Sequence, residues 1–237
     1  MNGEHDAGLL LALDTSSQMI GYAIADRDGL RAEAIWQGQR QGTATLLAES
    51  MRALEALGRT QDDICAVAVA TGPGSFSGLR VGLAIAKGLA LGLEIPIVGC
   101  PTLAITAEPF RSSGRPICAL VAAGRARYAY AVYVERGGSP IETIPATHGT
   151  AEEVGAMLAT LRDVVICGEP DPAAIALFAA IPGVTIPPPG GRARRPGALA
   201  DMAWRRILAG ETDDLVALEP IYLHTSSATG AARATKG

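Results

Sequence analysis

The stretch Thr71-Gly72-Pro73-Gly74-Ser75-Phe76-Ser77-Gly78-Leu79-Arg80-Val81-Gly82 decides how this chain reads. It follows the apolar run 64–70 and opens into an Ala-, Gly- and Leu-rich segment ending near Leu93. An apolar run, a glycine-rich turn and a long periodic segment spell strand, turn and helix. Such a turn either holds an anion on the free N–H groups of the helix start or shapes a close packing surface. A Walker-type phosphate loop needs a lysine after its last glycine, and here Leu79 and Arg80 follow Gly78. A dinucleotide fingerprint needs G-x-G-x-x-G, and Gly72, Gly74 and Gly78 are one residue too widely spaced. Gly74 and Arg80 remain candidates for a phosphate held by backbone N–H groups.

The packing reading rests on the helix itself. Gly78, Gly82, Ala86 and Ala90 recur every four residues beside Val81, Ile85 and Leu89. Small residues at this spacing let another element approach closely. Glycine costs about 0.8–1 kcal/mol relative to alanine inside a helix. A helix with Gly78, Gly82, Gly88 and Gly92 therefore needs contacts beyond itself. The chain's own sheet is the plainer source of those contacts, and a partner protein is the alternative.

Outward from this stretch, residues 9–13, 20–25 and 30–36 read as three antiparallel strands, joined by Asp14-Thr15-Ser16-Ser17 and by Asp28-Gly29. Leu46, Leu47, Met51, Leu54 and Leu57 make residues 43–57 an amphipathic helix, ended by Gly58. With strand 64–70, helix 78–93 and strand 95–98, the order is βββαβαβ. Beyond Pro101 the pattern starts again. Helix 102–110, strands 117–122 and 128–134, a turn at 137–140, helix 150–161, strand 164–167 and helix 171–179 follow. A Pro/Gly break at 187–191 precedes a last helix, 197–209. Two α/β lobes are expected: 1–106, and a smaller one at 107–225 whose last helix can return to the first. Residues 226–237 read as a flexible tail.

Hydrophobic residues make up 49% of the 237 residues and charged residues 19%, which excludes bulk disorder. A net charge of −4 and an aromatic content of 4% argue against a general nucleic-acid surface. Residues 1–7 lack the basic start of a signal peptide, and Lys87, Glu94 and Pro96 interrupt the longest apolar stretch. A cytoplasmic protein is expected.

Asp14, Thr15 and Ser16 sit in a turn after a buried strand and can face a phosphate, although such turns are also ordinary hairpin chemistry. His5, His148 and His224 show no metal-ligand spacing. Neither Ser75 nor Ser77 has a G-x-S-x-G context. Cys65, Cys100, Cys118 and Cys167 are widely separated and read as core residues, while Arg125, Arg127 and the Arg192-Arg194-Arg195 cluster read as solvated. No catalytic residue and no metal site is expected.

Three segments together resemble one family: Leu11-Ala12-Leu13-Asp14-Thr15-Ser16, the Thr71 to Gly82 turn, and Pro101-Thr102-Leu103. The turn is similar to the G-P-G-S-F-[ST]-G-L-R-[VI]-G pattern of the TsaB (YeaZ) proteins. The resemblance covers about the first 105 residues. It implies an actin-like, Hsp70-like (ASKHA) α/β fold of two lobes with a reduced second lobe. It also implies a non-catalytic subunit that binds and supports TsaD. TsaD moves threonylcarbamoyl to adenosine 37 of ANN-decoding tRNAs. TsaE is implied as a further partner, with tRNA met through the complex and a homodimer when the chain is alone. No cofactor of its own is implied, with ATP or ADP placed at the partner interface. The family pairs through its first two helices, which here assigns Leu47, Met51, Leu54, Gly78, Val81, Gly82, Ile85, Ala86 and Leu89 to the partner interface. The alternative, resting on Asp14-Thr15-Ser16 and the glycine-rich turn, is an actin-like small-molecule kinase or ATPase acting alone.

Overall fold

The computed structural model describes residues 8–38, 42–124, 126–137 and 139–223. His5, Arg125, His224, Gly138 and the 226–237 tail lie outside the described residues, as does the Thr43 side chain.

The first sheet grows from β1 (Leu9–Asp14), whose six residues are all buried. Its side chains alternate between two cores. Leu9, Leu11 and Leu13 face one helical layer, and Leu10 and Ala12 face the other. β2 (Met19–Asp26) and β3 (Gly29–Gln37) add antiparallel on one side, while β4 (Ile64–Gly72) and β5 (Ile97–Pro101) add parallel on the other. The strand order is β3-β2-β1-β4-β5. Helices α1 (Gly42–Ala56) and α2 (Phe76–Leu93) cover the Leu11 face; Leu46, Leu54, Leu79 and Leu83 are buried. Ser75 caps α2 by accepting from the Gly78 N–H, so the helix begins at Phe76, two residues before the expected start.

The second sheet repeats the plan. β6 (Ile117–Ala122), β7 (Arg127–Arg136) and β8 (Ser139–Thr150) run antiparallel, and β9 (Val164–Gly168) and β10 (Val184–Thr185) join β6 in parallel. The order β10-β9-β6-β7-β8 mirrors the first sheet. α4 (Ala151–Leu158) and α5 (Pro172–Ala179) cover one face and bury Val154, Leu158 and Phe178. The lobes exchange their remaining helices. α3 (Thr102–Ala107) leaves the first sheet and packs on β6, and α7 (Pro196–Leu208) returns to β1 and β2. Trp204 of α7 donates from Nε1 to the Ala25 carbonyl at 3.3 Å.

Some expectations need correcting. β8 is a full strand where only a turn at 137–140 and then a helix were expected. It lies at the sheet edge, where Pro140 and Pro145 need no ladder partner on their outer side. The helix expected at 102–110 gives way to a 3-10 helix, Glu108–Ser113, and α4 stops three residues short of the expected 161. The short α6 (Pro189–Arg192) forms within the Pro/Gly break.

Candidate functional site

The glycine-rich turn and the Asp14-Thr15-Ser16 turn meet. The Ser75 N–H donates to the Ser16 carbonyl at 2.7 Å, and the Thr15 hydroxyl donates to the Gly78 carbonyl at 2.7 Å. A Cβ on Gly74 would lie 2.0 Å from Ser16 O, on Gly78 2.1 Å from Thr15 O, and on Gly82 2.1 Å from Thr15 Oγ1. These three glycines let the start of α2 lie directly on the first hairpin. Gly72, which ends β4 at φ +112°, meets the Ile221 carbonyl in the same way. The glycines are internal packing devices.

Burial divides the residues expected at the partner interface. Gly82 and Ala86 are buried under the chain's own hairpin and sheet, Gly78 faces Thr15, and Leu54 is a core residue. Met51, Ile85 and Leu89 are half-buried against the core, and Leu47 is half-buried on α1. Only Val81 of the expected set is exposed. The open face of α2 instead runs through Val81, Ala84, Gly88, Leu91 and Gly92, with Leu91 69% exposed. Among the described residues, a Cβ on Gly88 or Gly92 would meet nothing within 4 Å. α2 is long and apolar enough to cross a membrane by length and composition alone, yet its inner face packs on β4.

In the cleft between the lobes the acidic side chains are held by the chain itself. Asp14 is fully engaged: Oδ1 accepts from the Ser16 N–H at 2.9 Å and its hydroxyl at 2.6 Å, and Oδ2 accepts from Arg194 Nε. The Arg194 side chain is 1% exposed. It also donates to Glu169 Oε1 at 3.1 Å, Ser17 Oγ at 2.9 Å and the Met19 carbonyl at 3.3 Å. Burial works against its charge, but Asp14 and Glu169 outweigh burial and raise its pKa above the usual arginine value. Arg194, expected to be solvated, thus fills the cleft between the lobes with the chain's own cation. Asp14, Thr15, Ser16 and Gly74 are brought together but spent on one another, and Arg80 lies apart on the outer side of α2, stacked on Phe76. Arg194 was missed because nothing local in its sequence distinguishes it from a surface arginine.

A second polar cleft, of about 380 Å³, lies between β3, the 3-10 helix and α7. Within it Glu108 Oε1 takes Arg205 at 2.7 Å and Arg111 at 3.3 Å, and burial pushes the Glu108 pKa up. Cys100 and Cys118 are core thiols, pushed by burial to about 11 and about 12.

Comparison with known proteins agrees with this geometry. The family model described as "TsaD: tRNA N6-adenosine threonylcarbamoyltransferase" matches residues 38–158. The tRNA threonylcarbamoyladenosine biosynthesis protein TsaB of Escherichia coli (strain K12) is 37% identical over 99 residues, which is 42% of each chain. Its namesake from Bacillus subtilis (strain 168) is 29% identical over 136 residues, 57% of this chain and 59% of that one. The matches thus span about half the length of these curated relatives. The solved structure of YeaZ from Pseudomonas aeruginosa superposes with a TM-score of 0.76 at 22% identity, over 91% of this chain and all of that one. The two mirrored sheets with exchanged helices are the actin-like (ASKHA) fold, and the chain belongs to the TsaD family of that model, on its TsaB (YeaZ) branch.

Proposed function

We propose that the chain is a non-catalytic subunit of cytoplasmic threonylcarbamoyladenosine synthesis. It binds a TsaD-type transferase and supports threonylcarbamoyl transfer to adenosine 37 of ANN-decoding tRNAs, with TsaE as a further partner. The observation that carries this reading is the outer face of α2. It is apolar and, among the described residues, uncovered, with Val81 and Leu91 exposed beside Ala84, Gly88 and Gly92. Bare positions at this spacing admit a second helix at close range, and the half-buried Leu47 and Met51 of α1 extend the surface. The same surface would serve self-association when the transferase is absent. Nucleotide bound by the assembly is expected at the partner interface, because Arg194 occupies the chain's own cleft.

The test is calorimetric titration of the chain with the transferase of the same organism. Val81→Glu and Leu91→Glu should each weaken binding by about tenfold or more, with melting temperature unchanged. Unaltered affinity in both variants would move the interface elsewhere. A wild-type chain that shows no binding would refute the subunit reading.

A further inference from the structure

Packing accounts for the glycines and Leu79 of the 71–82 turn, but it leaves Phe76 and Arg80 unexplained. Phe76 is 57% exposed at the first position of α2. The Arg80 guanidinium carbon lies 3.6 Å from the Phe76 ring centroid and 5.7 Å from that of Tyr222. The two rings are 5.3 Å apart at 34°. Tyr222 comes from the segment after α7, which is tied down along its course. The Ile221 N–H donates to the Thr71 carbonyl at 2.7 Å, and Lys87 Nζ donates to the Val216 carbonyl at 3.1 Å. Two distant segments therefore assemble one exposed cation–aromatic platform.

We infer that this platform docks a partner segment that presents a carboxylate next to an aliphatic side chain. Stacking on a ring holds the guanidinium plane while leaving its N–H edges open, the arrangement that grips a carboxylate in two places. Arg80 forms no ion pair among the described residues. Beside it runs a groove of about 410 Å³ with an apolar floor of Leu83, Ala84, Leu218 and Pro220. Arg80 and Lys87 line its sides against one acid, Glu219, so the groove calls for negative charge. Residues 224–237 contain no Asp or Glu, so this segment brings no carboxylate side chain to it. The apolar floor, Glu219 and a net charge of −4 favour a protein segment over a nucleic-acid phosphate.

This inference rests on the proposed subunit function, for it takes the partner to be the transferase, but it places contact on a flank of α2 that adjoins the Val81–Leu91 face and shares Ala84 with it. Calorimetry with the same-organism transferase separates the two. Arg80→Glu is expected to weaken binding by about tenfold or more, and Arg80→Lys by a smaller factor because the charge stays and the fork is lost. Tyr222→Ala should also weaken it, and wild-type affinity should fall with added salt more steeply than that of Arg80→Glu. Circular dichroism and melting temperature should match wild type. If Arg80→Glu binds as wild type while Val81→Glu does not, the platform inference is overturned and the subunit reading stands. Failure of the wild-type chain to bind overturns both. Loss of binding to a tRNA transcript, with transferase binding intact in Arg80→Glu, would overturn the inference in favour of a nucleic-acid contact.

Discussion

The Thr15 hydroxyl donates to the Gly78 carbonyl across 63 positions of sequence, at 2.7 Å. Thr15 thereby closes the first hairpin turn onto the first turn of α2. The same residue fills the space that a side chain at Gly82 would need. The first hairpin turn and the glycine-rich turn are thus one packing unit.

The glycine at 82 is accordingly a stability residue. Gly82→Ala puts a Cβ 2.1 Å from Thr15 Oγ1, and relief requires Thr15 to move and give up its hydrogen bond. Overpacking costs about 1–3 kcal/mol, against a helix-propensity gain of about 1 kcal/mol. Chemical denaturation should show net destabilisation. Adding Thr15→Ser keeps the hydroxyl and removes a methyl, so the same clash should persist. Adding Thr15→Ala removes the clashing oxygen and should recover part of the loss. Independent, additive effects in that cycle would contradict the clasp.

Arg194 and Asp14 form a buried ion pair, and Glu169 completes the set. Removing Arg194 strands the buried Asp14 carboxylate without water, while Glu169 keeps partial exposure. Arg194→Met should cost about 3–5 kcal/mol by urea denaturation, with Asp14→Asn somewhat less because the amide still accepts from the turn. A loss under 1 kcal/mol for Arg194→Met would mean that water already reaches the pair.

Much of the fold could be read directly. The run at 9–13 is wholly apolar and ends in Asp14-Thr15-Ser16-Ser17, so a buried strand and turn had no rival reading. β8 escaped because Pro140 and Pro145 look like strand breakers, and only its place at the sheet edge excuses them. Of the residues expected at the partner interface, Gly82 and Ala86 lie on the side of α2 that packs on the chain itself. Small residues recur at spacings near four on both of its faces, at Gly78, Gly82 and Ala86 and again at Ala84, Gly88 and Gly92. A signal was available: Leu79 and Leu83 flank Gly82, and large apolar residues at that spacing mark the inward face. Arg194 offered no such signal. Its partner Asp14 is 180 positions away, and an arginine beside Arg192 and Arg195 reads as solvated on every local criterion.

Asp171 supplies a pH-dependent contribution in the second lobe. It caps α5 by accepting from the Ala174 N–H at 2.9 Å, and it accepts the Tyr128 hydroxyl at 2.7 Å. Those bonds, the backbone one first, favour the carboxylate and lower its pKa below the ordinary 3.8. A lowered acid stabilises the folded state fully above its unfolded value. That contribution is lost as pH falls through the lowered one. Asp171→Ala should cost about 1 kcal/mol at neutral pH. The difference from wild type should shrink below about pH 4 in denaturation series. A difference that stays constant down to pH 2 would assign the effect to packing alone.

Gly88 and Gly92 set the opposite expectation from Gly82. Among the described residues neither has a heavy atom within 4 Å of a built Cβ, and neither has a left-handed backbone. In the chain alone each glycine only lowers helix propensity. Gly88→Ala and Gly92→Ala should therefore each stabilise by about 0.8–1 kcal/mol in chemical denaturation. A stabilising change that nevertheless weakens transferase binding would mean these glycines are kept bare for a partner rather than for the fold. Bulkier Gly88→Leu sharpens the comparison: it keeps good propensity but blocks close approach, so affinity should fall further than with alanine. Equal affinity across glycine, alanine and leucine at position 88 would place the helix–helix contact off this face and return the interface to the flank held by Arg80.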